Sequence, residues 1–197
     1  SQIGNPDIHW EKSLKQNLGI DFSFMRSLVA GTVELFKERR SDILVDGSNR
    51  AIPSYFGGSA PTANLGRVSS KGFEIELRIN KTFGNGMHLW GNFSMTHAEN
   101  KVLDFDDPQL LESYRKTTGF ASGQDHIIYD AGYANTWDDV IAMTPHNSSD
   151  DQRLPGQPIM VDYNGDGIID SADSAPYGYS GTPQNTYNAT IGWDWKG

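Results

Sequence analysis

The feature that most constrains this chain is a strict alternation of apolar and polar side chains in five separate segments. In the first segment every second residue from Leu18 to Phe24 is apolar, and the residues between them are small or polar. Because successive side chains of a β-strand point to opposite faces, a period of two predicts strands and not helices. We expect an all-β, antiparallel fold with strands near residues 16–25, 28–38, 72–83, 87–99 and 185–196.

The connections between these strands are alternately short and long. Tight turns are expected near residues 25–27 and at Asn85-Gly86, a dipeptide typical of hairpins, whereas the other connections run roughly over 39–71 and 100–184. Outer-membrane β-barrels have short periplasmic turns and long extracellular loops. The alternation therefore predicts a segment of about five strands of a transmembrane β-barrel in the bacterial outer membrane, with 100–184 as a long extracellular loop.

The alternation also assigns the strand faces of such a barrel. Aromatic residues at the short-turn end fit an interfacial girdle, and they are Phe22, Phe24, Phe83, Trp193 and Trp195. The side chains expected to face lipid include Leu18, Ile20, Phe22, Ile75, Leu77, Ile79 and Ile191. Those expected to face the lumen include Asp21, Glu74, Glu76, Arg78 and Asn188. A slip of one residue would exchange the two sets.

The alternating pattern is compatible with two other kinds of protein. A soluble β-sandwich that binds or hydrolyses glycans would show the same alternation, although a compact domain seldom carries a connection as long as 100–184. A passive porin would share the barrel itself. The net charge of -9 disfavours a nucleic-acid partner, and the absence of Cys excludes disulfides and thiolate sites.

The strongest site signal lies in residues 162–173. Its spacing of oxygen-bearing residues matches an EF-hand loop, with Gly167 at the position of the sharp turn. We expect a structural Ca²⁺ ion held by Asp162, Asn164, Asp166, the Ile168 carbonyl and Asp173. A metal-free series of Asx and glycine turns is the alternative, because the last ligand is Asp and not the longer Glu.

Other candidate residues give weaker signals. Glu74 and Glu76 share a strand face about 6.6 Å apart, close to the spacing of an inverting glycosidase, yet Arg78 continues that face and a hydrated lumen accounts for all three charges. We therefore expect no catalytic residues. Tyr129, Tyr133 and Trp137 could stack on a ligand or pack the loop onto itself. Short helices are expected after Asp107-Pro108 and over residues 136–143, capped by Asn135.

Several strings together resemble the SusC/RagA family of TonB-dependent outer-membrane transporters. They are Gly4 to Lys12 with Asn17 to Phe22, Asn64 to Val68 with Lys71 to Ile75, and Pro155-Gly156 ahead of Asp162 to Asp170. The resemblance implies that this chain is part of the C-terminal half of a 22-stranded barrel with an N-terminal plug. It also implies TonB-energised import of an oligosaccharide or peptide, a SusD-like surface lipoprotein as partner, and TonB contacts made by residues outside this sequence.

Overall fold

A computed structural model describes residues 4–47, 50, 60–147 and 153–195. The chain divides into two compact units. The first comprises Ser1–Pro108, Thr117–Ser122 and Thr182–Gly197, and the second comprises Gln109–Lys116 and Gly123–Gly181. The strands are β1 (Lys12–Phe24), β2 (Val29–Val45), β3 (Ala63–Thr82), β4 (Met87–Asp104), β5 (His126–Ile127), β6 (Asp130–Tyr133), β7 (Pro158–Met160), β8 (Ala175–Pro176) and β9 (Asn185–Trp195).

The first unit is a five-stranded sheet in the order β1-β2-β3-β4-β9. Every neighbouring pair in it is antiparallel. The strands β4 and β9 pair although residues 105–184 separate them, since that excursion leaves and re-enters at the same end of the sheet. The sheet is open, with β1 and β9 as its two edges, as expected of a segment of a barrel.

The register confirms the predicted segregation of the two faces. One row across the sheet runs Phe22, Gly31, Leu77, Phe93 and Ala189, and the next row along β1 runs Asp21, Thr32, Glu76, Ser94 and Asn188. Residues paired across strands share a face, and adjacent residues alternate. All the residues predicted to face lipid therefore share one face with Phe22, and all those predicted to face the lumen share the other with Asp21.

The apolar rows form a band of the height that a bilayer requires. On β3 they run from Phe73 to Ile79, and Lys81 occupies the next row, with its ammonium group 5.9 Å from the centroid of the turn residue Phe83. The distance from Phe73 to Phe83 is about 33 Å of strand, or about 25 Å of height at the usual barrel tilt. Large apolar side chains in this band, such as Ile20 and Ile191, are exposed in the isolated sheet. A lipid environment would cover them. None of the described helices is long and apolar enough to cross a membrane.

Aromatic rings mark the short-turn end of the band, as predicted. Phe24, Phe83, Trp193 and Trp195 are all exposed, while Phe22 is half-buried. The Phe22 and Phe24 centroids lie 5.6 Å apart, and the Trp195 indole N–H donates to the Asn85 carbonyl over 3.2 Å. This arrangement suits an interface where one part of each ring meets hydrocarbon and another meets water.

Two aromatic rings of the sheet each lie over a glycine on the adjacent strand. Gly31 pairs with Phe22 and Gly192 pairs with Trp90, and a Cβ at either glycine would collide with the facing ring. An aromatic side chain that covers a glycine on the next strand fixes the register of the pair. These two pairs therefore help to hold the faces in the correct alternation.

The five predicted strands all form and follow one another in the predicted order, but the predictions are too short at the long-loop end. The structure extends β1 back to Lys12, β2 on to Val45, β3 back to Ala63 and β4 on to Asp104. From Glu38 to Ser41 both faces of β2 are polar, so the alternation that marks a strand disappears while backbone pairing continues. The long loop predicted over 100–184 accordingly begins at residue 105.

Both short turns lie where they were predicted. They differ from each other in backbone conformation and in residue type. Gly86 has φ +80° and donates its N–H to the Phe83 carbonyl, which is a type I turn closed by a glycine bulge. The other turn places Met25, Arg26 and Ser27 at positive φ without any glycine. Left-handed conformations cost non-glycine residues about 1 kcal/mol or more each.

The second unit is built from short elements instead of a structureless excursion. Two small strand pairs, β5–β8 and β6–β7, accompany the helix α1 (Trp137–Ala142). The helix lies where expected, but Thr136 and not Asn135 caps it, in a capping box with Asp139. The helix predicted directly after Asp107-Pro108 is wrong, because only a 3₁₀ turn at Ser113–Arg115 forms there.

Asp107 has another role, which explains that error. Its carboxylate accepts hydrogen bonds from the backbone N–H groups of Thr117 and Thr118 at 2.9 and 2.8 Å. Partial burial would raise the pKa of Asp107, but the hydrogen bonds from these two threonines outweigh it and hold the pKa below its ordinary value. The side chain therefore closes a loop in the first unit and does not begin a helix.

We expect Leu77→Arg to destabilise the folded full-length protein that contains this chain, because Leu77 lies at mid-height of the band. An arginine on the lipid face near the bilayer midplane costs about 2–4 kcal/mol. The free energy of unfolding from lipid vesicles, followed by tryptophan fluorescence, measures the loss. Glu76→Arg, one residue away on the opposite face, is the matched control and should change it by less than about 1 kcal/mol. Equal losses for both variants would contradict the assigned faces.

Candidate functional site

The polar face of the sheet is a continuous hydrophilic surface. Its central row carries Asp21, Thr32, Glu76, Ser94 and Asn188, one from each strand. The Thr32 hydroxyl donates to the Asp21 carboxylate over 2.6 Å. Because the sheet places five polar side chains side by side, this face can only be hydrated or bound to a polar ligand.

A concavity of about 500 Å³ lies on this face between β3, β4 and β9. Its polar lining consists of Glu76, Arg78, Asn92, Ser94, Asn188 and Thr190. The Arg78 guanidinium donates to the Glu76 carboxylate over 3.5 Å, and both side chains are mostly exposed. Amides, hydroxyls and one balanced ion pair provide hydrogen bonds for a neutral polar molecule.

Glu74 and Glu76, the two carboxylates considered as a glycosidase pair, have different neighbours. Glu34 of β2 lies directly opposite Glu74, whereas Thr32 lies opposite Glu76. Like charges that face each other across a sheet repel, so hydration must screen Glu34 and Glu74. Glu76 has its counter-ion in Arg78. Both carboxylates are accounted for as charges on a wet surface.

The loop predicted to bind calcium is a compact series of turns in the second unit. The Asp162 carboxylate accepts hydrogen bonds from the backbone N–H groups of Gly165, Asp166 and Gly167 at 2.7, 3.2 and 2.8 Å. Gly165 and Gly167 have φ of +75° and +87°, which favour glycine. The Asp166 carboxylate accepts from Ile168 N–H at 2.9 Å and from the Asn164 amide at 2.9 Å.

Asp173 closes this loop from a fully buried position. Its carboxylate accepts from Tyr163 N–H at 2.8 Å and from Asp170 N–H at 2.8 Å, with a longer bond from Asn164 N–H at 3.3 Å. Burial alone would raise the pKa of Asp173, but the backbone donors, that of Asp170 foremost, hold it below its ordinary value. The carboxylate therefore carries its charge at neutral pH and ties both ends of the loop together.

The five predicted metal ligands thus belong to one loop, and the side-chain oxygens of Asp162, Asn164, Asp166 and Asp173 accept backbone hydrogen bonds there. In the part of the chain that the structure describes, no three His, Cys, Asp or Glu side chains converge on a common point. Ile169 is buried and bonds through its backbone to Pro145 and Asn147, which anchors the loop. Calcium binding stays a prediction.

The aromatic residues of the second unit have two kinds of environment. Tyr129 lies 6.0 Å from Tyr163 and 5.9 Å from Tyr177, measured between ring centroids, and its hydroxyl donates to the Pro176 carbonyl. It therefore packs the loop. Tyr133 and Trp137 are 65% and 60% exposed and stay candidates for ligand contact.

Sequence reasoning missed the part that Tyr114 plays in this cluster. Its ring lies 4.7 Å from that of Tyr163, and its hydroxyl donates to the Ala172 carbonyl over 2.8 Å. Tyr114 and Tyr163 are far apart in the chain, and neither belongs to a periodic pattern. No signal in the sequence could have paired them.

A family model of the β-barrel of TonB-dependent receptor-like proteins matches residues 1–197. The chain belongs to this family. Its barrel accounts for the antiparallel register, the two contrasting faces and the alternation of short turns with long connections. The outer membrane is where proteins of this family reside.

Curated relatives and solved structures agree with this membership. TonB-dependent receptor P39 of Formosa agariphila is 32% identical over 113 residues, which are 57% of this chain and 10% of that protein. TonB-dependent receptor SusC of Bacteroides thetaiotaomicron is 25% identical and covers 88% of this chain and 17% of its own length. The structure of the RagAB peptide importer in its closed-closed state matches all of this chain and 21% of the other, with a TM-score of 0.65 and 15% identity.

At 15% identity the structural likeness concerns the fold alone. This chain also spans only about a tenth to a fifth of the length of these relatives. The family membership therefore establishes that this chain has the architecture of a receptor barrel segment. It does not establish the activity of the whole receptor.

We expect Asp173→Ala to loosen the 162–173 loop of this receptor. The substitution leaves part-buried backbone N–H groups without an acceptor, at up to about 1–3 kcal/mol for each. Hydrogen exchange of the Tyr163 and Asp170 amides should accelerate by tenfold or more. Measurement in a chelating buffer separates this effect from any bound cation, and Asp138→Ala, an exposed carboxylate of the same unit, is the control. Unchanged protection would show that Asp173 does not hold the loop.

Proposed function

We propose that this chain is part of an outer-membrane transporter that imports a large polar nutrient with energy from TonB. The observation that carries the proposal is the register, which separates a bilayer-high apolar face from a hydrated polar face over five strands. Membership in a TonB-dependent receptor family supplies the energy source. The polar face then lines the lumen through which the nutrient passes.

Where β3, β4 and β9 form the concavity, the chemistry of the lumen face favours a neutral or zwitterionic polar cargo, whereas Asp21, Glu34 and Glu74 on the same face carry negative charge. Amides and hydroxyls dominate its concavity, and the single ion pair of Glu76 with Arg78 leaves little net charge there. An oligosaccharide and a peptide both fit this description. The RagAB neighbour is described as a peptide importer, which supports the second without deciding between them.

A SusD-like surface lipoprotein is the partner that we propose for the extracellular side. The support is the likeness to SusC and to RagAB, a two-component importer by its name. TonB would act through parts of the receptor other than this chain. Outer-membrane lipid covers the apolar face in this proposal.

Catalysis is not part of the proposal. Glu74 and Glu76 act as hydrated lumen charges, since one lies opposite another glutamate and the other is paired with Arg78. A passive porin would use the same two faces, so it differs from the proposed transporter only in its need for energy.

Uptake should therefore depend on TonB. We expect cells that carry the full-length receptor to accumulate a labelled oligosaccharide or peptide pool, and to lose this uptake when TonB is deleted. Reintroduction of TonB is the control. Uptake that persists without TonB would favour the porin, and hydrolysis of the pool by the purified receptor that Glu74→Gln with Glu76→Gln abolishes would favour the enzyme.

We further propose that the 162–173 loop binds Ca²⁺ as a structural ion. The support is the spacing of Asp162, Asn164, Asp166, Ile168 and Asp173, together with the left-handed Gly165 and Gly167, which make the sharp turns between them. A cation would offset the repulsion between the Asp162 and Asp166 carboxylates. The Ile168 carbonyl would supply the backbone ligand, and the buried Asp173 the last carboxylate.

Calorimetry of the purified full-length receptor tests this second proposal. We expect heat on titration with CaCl₂ and a Kd on the order of 10⁻⁴ to 10⁻³ M, the range of weak extracellular sites. Asp166→Ala should remove the heat, and Asp138→Ala should retain it. No heat with the unmodified receptor, or equal heat with Asp166→Ala, would leave the metal-free turns as the correct description.

A further inference from the structure

A group of cations lies on the lipid-facing side of the sheet, just beyond the apolar band at its long-loop end. Lys37 and Lys71 pair with each other one row beyond Leu35 and Phe73, the last apolar row. Arg39 and Lys101 flank Ser69 in the next row on the same face. All four side chains are exposed. We call Lys37, Arg39, Lys71 and Lys101 the basic rim.

The basic rim is positively charged, whereas the chain as a whole is negatively charged. The chain has a net charge of -9, yet the two rows that contain the rim hold four cations and one carboxylate, Glu99. Glu99 binds Lys71, with 2.7 Å between Nζ and Oε1. Among the described residues, Lys37, Arg39 and Lys101 form no ion pair. Lys37 and Lys71 lie directly opposite each other and repel, so an external anion bound between them would stabilise this surface.

A concavity of about 290 Å³ opens within the rim. Ser69, Lys71, Glu99 and Lys101 provide its polar walls, and Leu103 and Phe120 provide apolar ones. Residues 119 and 120 lie beside β4, because Gly119 N–H donates to the Val102 carbonyl and Val102 N–H donates to the Phe120 carbonyl. Ammonium groups, a hydroxyl and an apolar margin together suit a phosphate that is attached to a hydrophobic molecule.

We propose that the basic rim binds the phosphate groups of a phosphorylated lipid in the outer leaflet of the membrane. The rim continues the lipid-facing surface at the height where headgroups begin, and lysine and arginine there extend their charges to the interface while their stems stay on apolar surface. A free anion would match the charge but not the apolar walls or the position. The proposal rests on the membrane placement put forward above.

The test measures lipid binding by the full-length receptor. Phosphatidylcholine nanodiscs containing the receptor are titrated with a bis-phosphorylated glycolipid, with the same glycolipid after dephosphorylation, and with inorganic phosphate. Each cation near an anionic membrane surface is worth about fivefold in affinity, so Lys71→Gln with Lys101→Gln should weaken binding of the phosphorylated lipid on the order of 25-fold. The dephosphorylated lipid should bind the receptor and this variant equally weakly.

Lys15→Gln with Arg40→Gln is the matched control, because it removes two charges at the same height on the opposite face. It should leave lipid binding unchanged. Lys37→Gln with Arg39→Gln is a second rim variant that spares the Lys71–Glu99 pair and should also weaken binding. Equal binding by the rim variants and the control, equal affinity for the dephosphorylated lipid, or displacement of the lipid by inorganic phosphate at equal concentration would each overturn the proposal. TonB-dependent uptake should persist in the rim variants, so the failure of either proposal is visible by itself.

Discussion

The structure depends on the backbone hydrogen bonds that join the five long strands. A bilayer offers no water to satisfy backbone N–H and C=O groups, so a chain can cross it as strands only if each strand is paired on both sides. The antiparallel ladders from β1 to β9 satisfy this requirement in the interior of the sheet. The open edges at β1 and β9 then require further strands of the receptor, which agrees with the small share of the relatives' length that this chain covers.

The pairing also converts a simple sequence pattern into a functional surface. Phe22 pairs with Gly31, and Gly31 pairs with Leu77 on the next strand. The neighbouring Asp21, Thr32 and Glu76 must then lie together on the other face. No single residue makes this surface polar. The glycines opposite Phe22 and Trp90 stabilise that register, since a slip would force a side chain into each ring. Lipid contact and lumen hydration are therefore two results of one register.

Sequence reasoning succeeded where the membrane imposes a pattern and failed where it does not. Strand number, order and faces were correct because hydrocarbon and water demand opposite side chains on alternate residues. The start of β1 at Lys12 was missed because mostly polar residues occupy both of its faces, and the end of β2 at Val45 was missed because irregular pairing after Arg40 interrupts the alternation before the buried Val45. In the loop, Thr136 and Asp107 took roles that depend on distant backbone groups, and the contact of Tyr114 with Tyr163 joins separate segments. Local patterns carry no information on such contacts.

The 162–173 loop shows how a site motif and a structural motif can coincide. The hydrogen bonds that Asp162 and Asp166 accept would hold these turns without an ion. A carboxylate has about four lone-pair sites, so backbone bonds and a cation need not compete for them. Asp173 differs, because it is buried and accepts from both ends of the loop. The hydrogen bonds of Asp173 therefore hold the loop by themselves, and a cation, if it binds as proposed, would bind to turns that are already formed.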